Sequence, residues 1–220
     1  MVRILLAVAL LVATVAIAAD KPSLPLAFED DFSRGADRWK PTDPTAWKVI
    51  DTKDGKAYSQ FRQSKYQPKY RSPFNYAVVK DVVVSDLVLD VTLRSTCRDY
   101  PHRDLCLVFG WQSPDRFYYV HLGKRTDDHA NQIFIVNDAA RTKISTKTTA
   151  GTPWTDGWHR VRIVRTVADG RIAVYFDDMT KPVMTATDRT FRWGQVGVGS
   201  FDDTGDFRVV QLHGKPAKKE

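Results

Sequence analysis

The sequence predicts an all-β fold, an antiparallel β-sandwich, from three observations. Short runs alternate apolar and polar residues with a period of two, turn-forming pairs such as Asp-Gly separate them, and beyond the N-terminal segment no window keeps a helical period for three turns. A pleated strand points successive side chains to opposite faces, so alternation marks a strand with one face buried.

The alternation is clearest where Leu87, Leu89, Val91 and Leu93 oppose Val88, Asp90, Thr92 and Arg94. A second case sets His159, Val161 and Ile163 against Arg160, Arg162 and Val164, followed by Asp169-Gly170 and then by Ile172, Val174 and Phe176. Two alternating runs joined by Asp-Gly predict a hairpin. Further strands are expected over 28–32, 58–62, 77–84, 105–111, 117–122, 132–136, 141–146, 196–201 and 207–212. Many short strands punctuated by turns specify a sandwich or barrel. Residues 34–46, with Pro41 and Pro44, are expected to form an irregular surface loop.

The N-terminus opens on Met1-Val2-Arg3, continues through an apolar run over 4–15 and ends in Ala16-Ile17-Ala18-Ala19. A basic start, an apolar centre and a small-residue site form an export signal, with cleavage expected after Ala18 or Ala19. Residues 1–19 are thus expected to be a signal peptide, 20–214 a single sandwich domain and 215–220 a disordered basic tail, in a secreted or periplasmic protein. Cys97 and Cys106 are the only cysteines, and export to an oxidising compartment predicts a disulfide between them. No Cys-x-x-Cys or Cys/His cluster accompanies them, which argues against a metal site built on thiolates.

The chain has 33 basic and 26 acidic residues, a formal charge of +7. Losing Arg3 with the signal peptide would lower it by one. The basic residues are scattered through strands and turns; such a surplus suits an anionic polysaccharide or a membrane surface, or simply a solvated surface, and export argues against a nucleic-acid partner.

Three passages resemble the concanavalin A-like lectin/glucanase superfamily. Phe28-Glu29-Asp30-Asp31-Phe32 with Asp37 and Trp39 resembles its opening strand. Trp158-His159-Arg160-Val161-Arg162-Ile163 through Gly170 to Val174-Tyr175-Phe176-Asp177 is similar to its Trp-His hairpin. Gly197-Val198-Gly199-Ser200-Phe201 with Asp206-Phe207-Arg208-Val209 looks like its closing strand. Within the superfamily the layout resembles secreted 3-keto-disaccharide hydrolase-type and laminin G-like domains. The resemblance implies a jelly roll of two curved sheets with sugar held on the concave face.

Fold alone does not name an activity. The glucanases of this fold place Glu-x-Asp-x-x-Glu on one strand, and retaining hydrolysis needs two carboxyl groups about 5–5.5 Å apart. This chain has two glutamates, Glu29 and Glu220, so that motif is absent. Jelly-roll polysaccharide lyases instead use His or Tyr with Arg, Asn or Gln. Arg103, Tyr119, His121, His129 and Asn131 supply those residue types, and Tyr119 and His121 share one strand face opposite Tyr118, Val120 and Leu122. Asp127-Asp128-His129 also reads as a turn that caps itself. Among the aromatics, Trp111, Tyr100, Trp154 and Trp193 are candidates for stacking on sugar rings, whereas Trp39 and Trp158 are expected in the core. Arg103, Trp111, Tyr119, His121, His129 and Asn131 therefore form the candidate ligand set.

The superfamily resemblance also implies a structural calcium ion between the first and last strands, with Glu29 or Asp31 and Asp206 as ligands. No other cofactor is expected. The leading expectation is a domain that binds an oligo- or polysaccharide, an anionic one included. The alternatives are a hydrolase or lyase acting on glycans, and a laminin G-like protein-interaction module.

Overall fold

A computed structural model describes residues 23–218; the expected signal peptide lies outside them. The strands in chain order are β1 (Leu26–Asp30), β2 (Trp39–Pro41), β3 (Trp47–Thr52), β4 (Gly55–Gln60), β5 (Asn75–Val79), β6 (Val84–Ser95), β7 (Cys106–Ser113) and β8 (Arg116–His121). They continue with β9 (Gln132–Asn137), β10 (Thr142–Lys143), β11 (Ser145–Thr148), β12 (His159–Arg165), β13 (Arg171–Phe176), β14 (Met184–Thr187), β15 (Gln195–Ser200) and β16 (Gly205–Pro216).

Two antiparallel sheets stack face to face. The nine-stranded sheet runs β11-β14-β13-β12-β6-β16-β4-β3 with β1 also paired to β16, and the seven-stranded sheet runs β10-β9-β8-β7-β15-β5-β2. Strongly alternating β6 pairs with β12 so that Val91 faces Val161 and Leu89 faces Ile163. Register is fixed here because a slip of one residue would move every one of these apolar side chains out of the core. The expected hairpin forms, with Val161 opposite Phe176 and Arg165 opposite Ile172, and Gly170 takes φ +74° in its turn, a conformation that costs glycine nothing.

Leu87, Leu89, Val91, Leu93, Leu107, Phe109, Tyr118, Val120, Val161, Ile163, Val196, Val198 and Phe207 fill the space between the sheets. Trp39 and Trp154 belong to that core. Trp158 does not: it is half-buried, under the Arg94 and Arg208 guanidinium groups, with its indole N–H on Asp54. Its neighbour His159 points inward and ties the hairpin base. His159 Nδ1 lies 2.7 Å from Asp177 Oδ2, and Nε2 accepts the backbone N–H of Thr155 at 3.1 Å. With Nε2 accepting, Nδ1 is the nitrogen that faces the Asp177 carboxylate as donor.

Several expectations change. Residues 34–46 contain β2 and a 3-10 turn at Pro44–Ala46 capped by Asp43, because Trp39 packs edge-on against Phe28 and pins the segment. The expected tail instead continues β16 through Pro216, and Ala217 N–H bonds the carbonyl of Val83, so pairing with the end of β6 orders it to residue 218. Strands β3 and β14 were not foreseen. Cys97 and Cys106 are free thiols rather than a disulfide. Each is engaged separately, Cys97 with Asp203 Oδ1 at 3.1 Å and Cys106 with Asp104 Oδ1 at 3.9 Å.

The implied calcium ligands do not converge. Glu29 stands opposite Gln211 and Asp30 opposite Val210 in the β1–β16 register, whereas Asp206 lies further along β16 against Arg94 and Ser59. Asp206 is spent on Arg94 at 2.8 Å and Asp31 on the Ser33 hydroxyl at 2.6 Å. The residues present do not fit the ion, and no group of three or more His, Cys, Asp or Glu side chains among the described residues has metal-binding geometry.

Candidate functional site

Alternation along β8 sends Tyr118 and Val120 into the core and Tyr119 to the opposite face, as expected. There Tyr119 joins Tyr76, Val78, Val108, Phe117, Phe134, Val136 and Phe201 in a second apolar layer on the outer face of the seven-stranded sheet. Aromatic rings stack along it: Tyr119 on Phe134 at 5.1 Å, His121 on Phe201 at 5.7 Å, and Phe117 beside Tyr76 at 5.6 Å. A bare sheet face of this composition would be an aggregation surface. The chain covers it with its own crossover.

That crossover, residues 61–74, connects β4 of one sheet to β5 of the other and lies across the aromatic face as a strap. Tyr66 meets Tyr76 edge-on at 6.2 Å, Phe74 packs on Phe201 at 4.7 Å, and the backbone N–H of Phe74 bonds the carbonyl of Phe201 at 3.0 Å. On the far side Arg141 anchors it, donating its backbone N–H to the Arg71 carbonyl at 3.0 Å. A loop of this length without regular structure is unusual in a compact domain and is commonly a binding element.

The strap leaves a cleft on each side. The first, about 290 Å³, is lined by Gln60, Gln63, Ser64, Tyr66, Gln67, Phe74, Asn75, Phe201 and Asp202. Gln60 is fully buried; its side-chain N–H₂ bonds the Ser200 hydroxyl and the Asp203 carbonyl, and its Oε1 has no partner. The second, about 240 Å³, is lined by Lys40, Pro41, Thr42, Tyr66, Tyr76, Val78, Trp111 and Pro114. Tyr66 is common to both. Aromatic faces bordered by amides, a hydroxyl and a carboxylate match the two kinds of surface a sugar presents, its C–H faces and its hydroxyl rim.

Asp202, which lines the first cleft, neighbours two buried carboxylates, Asp203 and Asp104. Asp203 accepts from Tyr100 at 2.7 Å and from the backbone N–H of Asp104 at 2.9 Å, and Asp104 Oδ2 sits 3.3 Å from His121 Nε2. Burial together with the neighbouring Asp104 raises the Asp202 and Asp203 carboxyls above the ordinary aspartate range. Burial also drives the Tyr119 hydroxyl well above the tyrosine range.

The structure separates the six candidate ligand residues. Tyr119 and His121 share the expected face but lie sealed beneath Arg141, whose Nη1 donates to the Tyr119 hydroxyl at 2.7 Å and lies 3.3 Å from His121 Nδ1. Trp111 borders the second cleft. Arg103 is 2 % exposed and consumed by structure, bonding the Ser95 carbonyl at 2.9 Å and the Thr155 carbonyl and Asp156 carboxylate at 3.0 Å each. Asn131 is equally committed: its N–H₂ bonds two threonine hydroxyls and the Thr149 carbonyl while its Oδ1 accepts from Thr152. His129 is exposed in a turn capped by Asp127 at 2.6 Å, as the self-capping reading has it. Trp154, a stacking candidate, is buried with its indole N–H on the Leu122 carbonyl.

Sequence reasoning missed Tyr66, Arg71, Phe74 and Arg141. The one signal available was the length of the run 61–74, rich in aromatics, cations and amides and lacking alternation.

No protein-family model and no curated protein sequence matches the chain. Solved structures do. The carbohydrate-binding module CBM66 from Bacillus subtilis is 19% identical with a TM-score of 0.56, over 80% of this chain and 95% of that one. Domain 4 of AbnA, an extracellular arabinanase from Geobacillus stearothermophilus, in complex with arabinotriose, is 9% identical with a TM-score of 0.55, over 89% and 95%. The winged bean acidic lectin complexed with methyl-α-D-galactose is 11% identical with a TM-score of 0.57, over 87% and 98%. At such identities the likeness establishes the fold, and the fold is a concanavalin A-like jelly roll.

Proposed function

We propose that this protein is a carbohydrate-binding domain that takes an oligo- or polysaccharide across the strap of the seven-stranded sheet. The observation that carries the reading is the pair of clefts sharing Tyr66, one amide-rich and one aromatic, which together offer adjacent subsites for an extended chain. In the second cleft Trp111 supplies a stacking face, and in the first Gln63, Gln67 and Asp202 supply hydroxyl partners. The neighbours whose names specify sugar binding support the same class of ligand. The apolar N-terminal segment supports action outside the cytoplasm.

Binding without turnover is the form of the function favoured by the site. Tyr119 is fully buried and His121 nearly so, both beneath Arg141, so neither reaches a bound sugar while the strap is closed. The Tyr119 hydroxyl, held far above its ordinary pKa by burial, is also a poor proton acceptor at neutral pH.

A glycan array with product detection on every hit tests the proposal. The expected result is binding to at least one glycan, loss of that binding in Trp111→Ala by at least about tenfold, as for a stacking aromatic at the centre of a site, and no product. Binding to no glycan would overturn the proposal, and product formation would replace it with the hydrolase or lyase reading.

A further inference from the structure

We infer that the glycan received by this face is acidic, and that Arg71 and Arg141 together take its carboxylate or sulfate groups; this rests on the glycan-binding reading above. Arg141 is held in place by three kinds of contact. Its guanidinium stacks at 4.6 Å from the Phe134 ring centre and 4.3 Å from that of Phe201, its Nη1 donates to Tyr119, and its backbone is tied to the strap. Arg71 brings a second guanidinium to 5.4 Å from the same Phe201 ring. Its side chain is exposed and makes no hydrogen bond among the described residues. Among the described residues no carboxylate lies within ion-pair distance of either arginine. Two like charges sharing one ring repel, and an anion placed between them removes that repulsion. A planar guanidinium fork also matches a carboxylate or sulfate with two parallel hydrogen bonds.

The strap carries further cations. On the nine-stranded sheet Asp90 pairs with Arg160 at 2.9 Å and Arg162 at 2.8 Å, and Asp206 with Arg94 at 2.8 Å, whereas Arg165, Arg171 and Arg208 have no carboxylate partner among the described residues. On the strap, Arg62, Lys65, Lys69 and Arg71 have no carboxylate partner among the described residues, and Lys40 borders the second cleft. The proposed binding face thus carries a group of cations without carboxylate partners. The nearest carboxylates set the polarity of the site. Asp104 is buried against His121, and Asp202 borders the amide-rich cleft beside Phe201. Asp202 disfavours an anion in that cleft and leaves hydroxyls to bind there, while the acidic group is received at the arginine pair.

Calorimetric titration of the full chain with three probes tests this: oligogalacturonate for carboxylate, carrageenan oligosaccharide for sulfate, and neutral galacto-oligosaccharide. The expected result is that one of the acidic probes binds at least about tenfold more tightly than the neutral one, with affinity falling as salt rises. Arg71→Gln and Arg141→Gln each weaken that binding about tenfold. A Lys215→Gln/Lys218→Gln variant, which removes charge elsewhere, weakens it less than about threefold. Among the described residues the Arg71 side chain makes no hydrogen bond or ion pair, so its variant remains informative should Arg141→Gln unfold. Equal or tighter binding of the neutral probe, or equal losses in Arg71→Gln and the lysine control, would overturn the inference and leave the glycan reading intact. Binding of none of the three probes overturns it as well, and only a blank glycan array extends that failure to the glycan reading.

Discussion

Asp202 shows how a single carboxyl links stability to the site. Burial and the nearby Asp104 and Asp203 carboxylates raise its pKa in the folded chain. A carboxyl raised by folding penalises the folded state wherever it is ionised, and the penalty disappears as pH falls to its unfolded value near 3.9. Asp202 is exposed at the surface, where solvent screens the repulsion, so Asp202→Asn is expected to raise Tm at pH 7 by no more than about 1 °C, and the gain should vanish in the same melt at pH 3. An equal gain at both pH values would contradict this assignment. His159 acts in the opposite sense, since it satisfies both Asp177 and the Thr155 backbone. Its replacement by Ala removes both bonds, while Asp177 keeps the Arg160 backbone N–H, at an expected cost of about 1–2 kcal/mol in denaturant unfolding. The cysteines provide a third check. The Cys97 thiol is pushed up to about 11 by burial and by its bond to the Asp203 carboxylate, and Cys106 is fully buried. Alkylation should label both after unfolding without reductant, with little reaction in the folded chain; a protected pair would restore the disulfide.

At the level of elements, legibility followed the environment of each strand. Strands β6, β12 and β13 were visible because one face meets the core and the other meets polar groups. Short β14, Met184-Thr185-Ala186-Thr187, is too brief to display a period, and β10 with β11 split what read as one strand because they belong to different sheets. Gly197 and Gly199 in β15 were readable as a closing-strand motif but not in their physical role. A methyl group on Gly199 would stand 2.2 Å from the carbonyl oxygen of Asn75, so the glycine permits the close approach of β5 to β15. Gly199→Ala is expected to destabilise the chain by about 1–3 kcal/mol through overpacking; an unchanged denaturation midpoint would contradict that close approach. The strap was legible only as a gap between strands, because its contacts are long-range: Tyr66 with Tyr76, Phe74 with Phe201 and Arg71 with Arg141. For the same reason Tyr119 and His121 were placed on the correct face yet expected to be open, since their cover comes from elsewhere in the chain.

For the whole molecule, the fold assigns its two outer faces different work. The nine-stranded sheet pairs Arg160 and Arg162 with Asp90 and Arg94 with Asp206, while the seven-stranded sheet carries an aromatic layer, a cationic strap and two clefts. If a glycan is held across that strap, Tyr66, the ring common to both clefts, must contribute to its binding. The direct measurement is calorimetric affinity of wild type and Tyr66→Ala for a glycan identified on the array, with Tm recorded alongside. The expected result is a loss of at least about tenfold, the scale of a central stacking residue, with a Tm close to that of wild type. Unchanged affinity in a folded Tyr66→Ala protein would contradict it.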